Sequence, residues 1–281
     1  MTPFPLRVVF LGCGYITGVH SRHLRSLRDA WVLSYASRDV ARAEDFRERY
    51  DGVAAYDGYA AALQDPRIDV VVIAVPPKWH RELALAAIAA GKHVLVEKPA
   101  FLDAEDYEKV REARDDRGVS VLVGENDHYK PLAVTLRRLL AEGIIGELVM
   151  ASFTTVADKP KAAADWRNDE KLAGGDAFFE EGVHWLHLAG SLGPRIVRIS
   201  GHRPSVAATS TGPDRRGRSQ LVAFDYDNGA VGALFYSREV PSVMWGLRVS
   251  KLYGRRGVIT FESNGGAVVV HTRGLPRVVH P

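Results

Sequence analysis

Cysteine is almost absent: Cys13 is the only one among 281 residues. A disulfide scaffold within the chain and an all-cysteine metal cluster are therefore excluded, and redox chemistry would need a borrowed cofactor. No apolar run approaches the roughly 20 residues that a membrane-crossing helix requires. Near the start, Arg7 and the glycines after Leu11 interrupt the apolar stretch. No secretory leader is read there, and a cytoplasmic protein without a membrane partner is expected. Segregated charge is also lacking, because the 37 Lys+Arg and 34 Asp+Glu are interspersed and leave a net charge of only +3. Without a basic helix or an aromatic-basic platform, no nucleic-acid partner is expected, and the Arg215, Arg216 and Arg218 cluster reads as a solvated loop. There is no internal repeat. What is present, 46% hydrophobic and 25% charged residues, suffices for a substantial core in one large domain or two ordinary ones.

Over residues 1–124 short apolar runs alternate with helical periods. Residues 6–11 read as a strand, followed by a glycine turn and a helix over 16–28. A strand at 31–35 and a charged amphipathic helix at 40–50 come next. Residues 69–75 are β-branched and apolar on both faces, as suits a central parallel strand. An alanine-rich helix at 83–90 stops at Gly91, and strand 93–97, helix 104–117 and strand 120–124 complete the alternation. Such alternation predicts a doubly wound parallel sheet of α/β class. Residues 125–281 differ. After helix 131–142, strand 147–155 and apolar helix 182–192, the chain is strand-rich. Asp227, Asn228 and Gly229 join strands 221–226 and 230–236 as a hairpin, and further strands follow at 248–253, 258–261 and 267–271. This predicts an α+β domain with a predominantly antiparallel open sheet. The polar stretches 157–172 and 207–219 read as loops.

Gly12, Cys13 and Gly14 lie between the first strand and the helix opened by Tyr15 and Ile16. Glycines there permit a sharp turn and close backbone approach to a pyrophosphate, which the helix N-terminus attracts. The third glycine of the usual spacing falls at Thr17, with Gly18 one place later. About 20 residues on, the tip of the second strand carries Ser37, Arg38 and Asp39. A serine and an arginine favour a 2′-phosphate, so NADP is expected. NAD is the alternative, with Arg38 solvated and Asp39 either on the ribose or capping the helix.

These motifs belong to a longer series. Gly12 to Ile16 with His20, then Pro76-Pro77-Lys78-Trp79-His80, then Ala-Gly-Lys-His-Val-Leu-Val-Glu-Lys-Pro over 90–99, resemble successive motifs of the glucose-fructose oxidoreductase, inositol dehydrogenase and rhizopine-catabolism (Gfo/Idh/MocA) family. The resemblance continues through Gly124-Glu125-Asn126, Gly146-Glu147, Gly174-Gly175 and Gly182-Val183-His184 to Asn228-Gly229. It implies a Rossmann domain over 1–124 that binds NADP, and a substrate and oligomerisation domain over 125–281. It also implies pyridine-nucleotide oxidation or reduction of a sugar or polyol by a homo-oligomer assembled through the C-terminal sheet. Pro76, His80, Glu97 and Lys98 are expected to join the glycine turn around the cofactor, and the peptide bond before Pro99 is often cis in the family. Family members are commonly longer and end in a helical segment. This chain stops after 274–281 without one, so a short member is expected, its brace absent or supplied by a partner subunit.

Read from their chemistry, Lys98 at the end of a parallel strand can polarise a reacting oxygen, and His184 can move a proton near neutral pH. Glu180, His184 and His187, spaced four and three apart, would share one helical face. Glu180 would then tune His184 or hold a neighbouring hydroxyl. The family usually has aspartates at 180 and 187, so Glu180 and His187 leave the substrate open. Asn126, Tyr129 and Trp166 are further candidate pocket residues. A metal held by Glu180, His184, His187 and His128 is a weaker reading, and no metal is expected. Two rival functions share these residues: redox-neutral glycoside cleavage through transient oxidation and elimination, and a non-catalytic nucleotide or sugar sensor.

Overall fold

The structure, a computed structural model, describes residues 5–158, 166–205, 219–241, 247–263 and 265–281. The Arg215 to Arg218 cluster and parts of the two polar loops lie outside the described residues. The chain divides into two units, one running to Gly124 and including Lys171–Gly174, the other comprising Glu125–Glu170 and Gly175–Pro281.

The first unit alternates β1 (Leu6–Leu11), α1 (Tyr15–Leu24), β2 (Trp31–Ser37), α2 (Val40–Arg49), β3 (Ala54–Asp57), α3 (Tyr59–Gln64), β4 (Val70–Ile73), α4 (His80–Ala89), β5 (His93–Glu97), α5 (Ala104–Arg117) and β6 (Val121–Gly124). The strands form one parallel sheet in the order β3-β2-β1-β4-β5-β6. The order reverses between β1 and β4, which opens a crevice at their carboxyl ends, the place where open α/β sheets receive ligands. Alternate residues of the central strands bury opposite faces. Val9, Leu11, Val71, Ile73, Val94 and Val96 pack with Ala84, Ala87 and Ile88 of α4, while Val8, Phe10 and Tyr35 pack with Phe46 and Tyr50 of the α2 side. Helix α1 ends four residues earlier than its pattern suggested and passes into a 3₁₀ turn at Arg25–Leu27. β3 and α3 are four and six residues long, too short to show a period in the sequence.

The second unit contains α6 (Pro131–Ala141), β7 (Leu148–Val156), α8 (Val183–Gly190) and strands β8 (Ile196–His202), β9 (Ser219–Tyr226), β10 (Val231–Ser237), β11 (Val249–Gly254), β12 (Gly257–Glu262), β13 (Val268–His271) and β14 (Arg277–Val279). A single turn, α7 (Glu170–Ala173), lies at the junction in sequence. The eight strands run β14-β13-β12-β11-β7-β10-β9-β8. Only the β7–β10 pairing is parallel, and all other neighbours are antiparallel. Leu136 and Leu139 of α6 and Trp185 and Leu188 of α8 bury against Phe153, Phe224, Leu234, Leu252 and Phe261. One sheet face thus carries the helices.

The apolar helix expected over 182–192 differs at its start. A π turn at Phe178–Gly182 precedes the α-helix. A π turn holds an extra residue, so positions before it leave the face set by α8. Gly182 makes this turn possible, because a Cβ there would lie 2.5 Å from the Phe178 ring.

Candidate active site

β1 delivers the chain into a turn that only glycine tolerates. Gly12 has φ +102°, and a Cβ on it would lie 2.6 Å from the Ala74 carbonyl oxygen of the neighbouring strand's end. The Thr17 hydroxyl donates to the Gly12 carbonyl at 2.6 Å and ties the turn to the first turn of α1. That position, where a third glycine is usual, is thus occupied by a buried hydroxyl with a partner. Around a Cβ built on Gly14 there is nothing within 4 Å, and α1 starts with neither a capping side chain nor an acidic residue. An open approach to uncapped helical N–H groups fits the pyrophosphate of a dinucleotide. Cys13 contributes backbone here, since its side chain is buried and burial pushes the thiol up to about 11. Tyr15 is largely exposed and Ile16 half-buried.

At the tip of β2, Ser37 is buried and its hydroxyl accepts from the Asp39 amide at 3.2 Å. The Asp39 carboxylate caps α2, accepting from the Ala41 amide at 3.1 Å. Arg38 is exposed and lies near Tyr59 of α3, whose pKa is raised by burial.

β5 ends in Glu97, Lys98 and Pro99, and the Lys98–Pro99 peptide is cis. The buried Glu97 carboxylate accepts from His20 of α1 at 2.6 Å and from the Lys98 amide at 3.2 Å. Gly124 leaves room for it, as a Cβ there would approach Glu97 Oε1 to 3.2 Å. Glu97, expected at the cofactor, is therefore engaged in joining the glycine-turn helix to the Lys98 turn. His80 has a similar part. It is 1% exposed, with Nε2 2.8 Å from the Val75 carbonyl and Nδ1 3.0 Å from the carbonyls of Pro99 and Ala100. Its ring sits between the ends of β4 and β5 with carbonyl oxygens at both nitrogens, to one of which a neutral imidazole donates. Burial holds its pKa below the ordinary histidine value. Pro76, half-buried, caps the 3₁₀ turn that leads into His80.

In the second unit, the His184 Nδ1 lies 2.7 and 2.8 Å from the two oxygens of Glu125. Glu125 is buried, and one of its oxygens also accepts from the Asp127 amide at 2.9 Å. Burial works to raise its pKa, but the His184 hydrogen bond and charge outweigh it and hold the carboxyl below its usual range. A carboxylate on Nδ1 sets the tautomer and leaves Nε2 to meet a substrate. Glu180 does not fill this role as expected. Its carboxylate meets Arg167 at 3.4 Å and Arg238 at 3.6 Å, and the carboxylate on the His184 Nδ1 is that of Glu125. Glu125 stands in the motif series, but nothing local in the sequence marks a contact between residues 59 apart.

His187 shares a hydrogen bond with His128, Nε2 to Nδ1 at 3.0 Å, so one ring donates and the other accepts. Burial lowers the His187 pKa. Tyr129 stacks edge-on against His128 and is otherwise exposed, as is Asn126. Trp166 lies under the Arg167 guanidinium at 4.6 Å. The weaker metal reading finds its ligands otherwise committed. Glu125, Asp127 and His184 do place donor atoms within 4.8 Å of one another. There, however, the imidazole and carboxylate face each other as donor and acceptor, and Asp127 is held by Lys130 at 2.5 Å. Glu125, held in turn by the Asp127 amide, orients His184.

His184 and Asn126 open onto a cavity of about 540 Å³, walled by Leu132, Trp185 and Leu188. This is the size of a small-ligand site.

Glycine turn, reversal of strand order and a lysine at a strand's carboxyl end together define an oxidoreductase with an NAD-binding Rossmann domain. The chain belongs to the Gfo/Idh/MocA oxidoreductase family: residues 6–125 match the family described as an oxidoreductase family with NAD-binding Rossmann fold, and residues 133–260 match the GFO/IDH/MocA C-terminal domain. Among its relatives, levoglucosan dehydrogenase of Pseudarthrobacter phenanthrenivorans is 28% identical over 85% of this chain and 64% of its own length. The scyllo-inositol 2-dehydrogenase (NADP(+)) of Bacillus subtilis is 28% identical over 66% of this chain and 52% of its own. The chain thus spans between half and two thirds of the length of these two. A solved levoglucosan dehydrogenase in complex with NADH and levoglucosan superposes with a TM-score of 0.87 at 23% identity, covering 98% of this chain and 80% of that one. No described helix is long and apolar enough to cross a membrane.

Proposed function

We propose that the chain is an NADP-preferring dehydrogenase or reductase that interconverts a secondary hydroxyl and a ketone on a sugar, polyol or related small molecule. The observation that carries this is His184, whose Nδ1 is fixed by a buried carboxylate so that Nε2 can exchange a proton with a substrate oxygen. Relatives named for levoglucosan and scyllo-inositol support the substrate class. The backbone of Gly12, Cys13, Gly14, Tyr15 and Ile16 would hold the pyrophosphate, with Ser37 and Arg38 at the ribose and Pro76 and Lys98 toward the nicotinamide. The nicotinamide supplies hydride transfer when bound. Lys98 hydrogen-bonds the reacting oxygen and stabilises the alkoxide-like charge that develops there. Its backbone is set by Glu97 and, through Pro99, by His80.

NADP preference rests on Arg38 and on Asp39, whose carboxylate serves α2 and so does not confront a 2′-phosphate. One relative is named for NADP(+), while solved neighbours hold NAD or NADH. Dissociation constants should favour NADPH over NADH by about 10- to 100-fold, the range of a charge-assisted pair. Arg38→Ala should reduce the preference to a few-fold. Equal affinities in the unaltered protein would refute it. Leaving-group release from a glycoside without accumulation of reduced cofactor would instead point to elimination chemistry.

A homo-oligomer through the C-terminal sheet is part of the same reading. The face away from the helices exposes Met150 opposite Val231, and Leu221 opposite Phe235, each between 37% and 48% exposed. Adjacent exposed apolar side chains of this kind mark interaction surfaces. Solution mass should exceed that of one chain, and Phe235→Glu should return it to a monomer. A monomeric unaltered protein would exclude this assembly.

A further inference from the structure

Arg248 was not singled out by its sequence position, and it stands just before β11 at the wall of the cavity that contains His184. Its backbone is anchored, the carbonyl accepting from the amide of Ser263 at 3.0 Å and from its hydroxyl at 2.9 Å. Its side chain is not. Among the described residues the fully covered Nε has no hydrogen-bond partner and no ion pair is formed by the guanidinium. Two acidic side chains on this wall have cationic partners. Lys130 holds Asp127 at 2.5 Å, and Glu181 meets Arg238 at 3.3 Å. A half-buried guanidinium without a counter-charge is costly, and an anion bound beside it in the cavity lowers that cost. The planar fork favours a carboxylate or a phosphate, which it grips through two parallel bonds.

We propose that this cavity takes an acidic substrate, a sugar or polyol bearing a carboxylate or phosphate, with the anionic group on Arg248 and the reacting hydroxyl toward His184. The proposal rests on the dehydrogenase reading and adds the charge of the substrate. Apolar Leu132, Trp185 and Leu188 would contact the carbon skeleton, and the first turn of α6, which has no side-chain cap, adds positive potential beside the anion.

The test uses the full chain saturated with NADPH, titrated calorimetrically with D-glucose, D-gluconate, D-glucuronate and D-glucose 6-phosphate. At least one acid should bind roughly 10- to 100-fold more tightly than glucose, with the advantage shrinking as salt is raised. Carboxylate and phosphate arms identify which anion is preferred. Arg248→Met should abolish the advantage and Arg248→Lys should restore part of it. Unchanged melting temperatures confirm intact folding, and if Arg248→Met does not fold, Arg248→Gln takes its place. Equal binding of acids and glucose overturns the proposal, as does a preference for acids that survives in the folded Arg248→Met protein. Hydride exchange with neutral polyols but no gain for acids would sink this proposal and leave the dehydrogenase reading standing. Acid binding that depends on Arg248, without hydride exchange on any substrate, would do the reverse.

Discussion

Lys98→Ala should lower turnover by about 10³-fold or more, equivalent to roughly 4 kcal/mol of transition-state stabilisation. Affinity for NADPH should stay within a few-fold of the unaltered protein. The reason for the split lies in the placing of the two functions. Pyrophosphate recognition is assigned to the backbone of the Gly12 to Gly14 turn and the first turn of α1, which depend on Gly12 and on the Thr17 hydroxyl. On the proposed reading Lys98 supplies instead a charge at the reacting oxygen, which matters most as hydride leaves carbon. Lys98→Arg should also be impaired, because a broad planar guanidinium does not replace a compact ammonium. Single-turnover rates together with cofactor titration make the distinction. Near-native turnover of Lys98→Ala would remove it from the chemistry.

Glu125→Gln should cost about 10²-fold in kcat with little change in KM, within the range ascribed to a positioned acid-base group. The amide keeps the shape of the glutamate but loses the charge that would support His184 in its proposed role as carrier of the substrate proton. Glu125→Asp, which restores the charge with a shorter reach, should recover part of the rate, whereas a purely structural loss would move KM and melting temperature and would not respond to charge. The same carboxylate couples stability to pH. Its folded pKa lies below the ordinary glutamate value of 4.5. Its contribution is therefore fully present above about pH 4.5 and is lost as pH falls through the folded value. Urea midpoints of the unaltered protein and Glu125→Gln should differ more at pH 7 than at pH 4. A gap that is constant across that interval would show that Glu125 does not carry this linkage.

Much of the architecture is legible in local pattern. The strands β1, β2, β4, β5 and β6, their intervening helices and the hairpin at Asn228-Gly229 follow from period and turn chemistry, since each depends on residues within a few positions of one another. β3 and α3 escape notice because a period cannot show itself in four or six residues. The helix boundary before His184 is misplaced for a related reason, since a single π turn over Phe178–Gly182 is too short to show a period. An α-helical spacing of four puts Glu180 above His184, but Arg167 and Arg238 hold its carboxylate, and such distant partners are not disclosed by spacing.

The amino-acid sequence by itself determined the two-part α/β and α+β plan, the glycine turn with Arg38 near it, and the presence of Lys98 and His184, because motifs and periods are short-range properties. Only the tertiary structure decided which groups these residues meet. It set Glu125 rather than Glu180 on His184, paired His128 with His187, drew His80 and Glu97 into bracing the Lys98 turn, and left the covered Arg248 nitrogen without an acceptor among the described residues. Those outcomes depend on how strands and helices far apart in the chain are brought together, and on which buried polar atom finds a partner there.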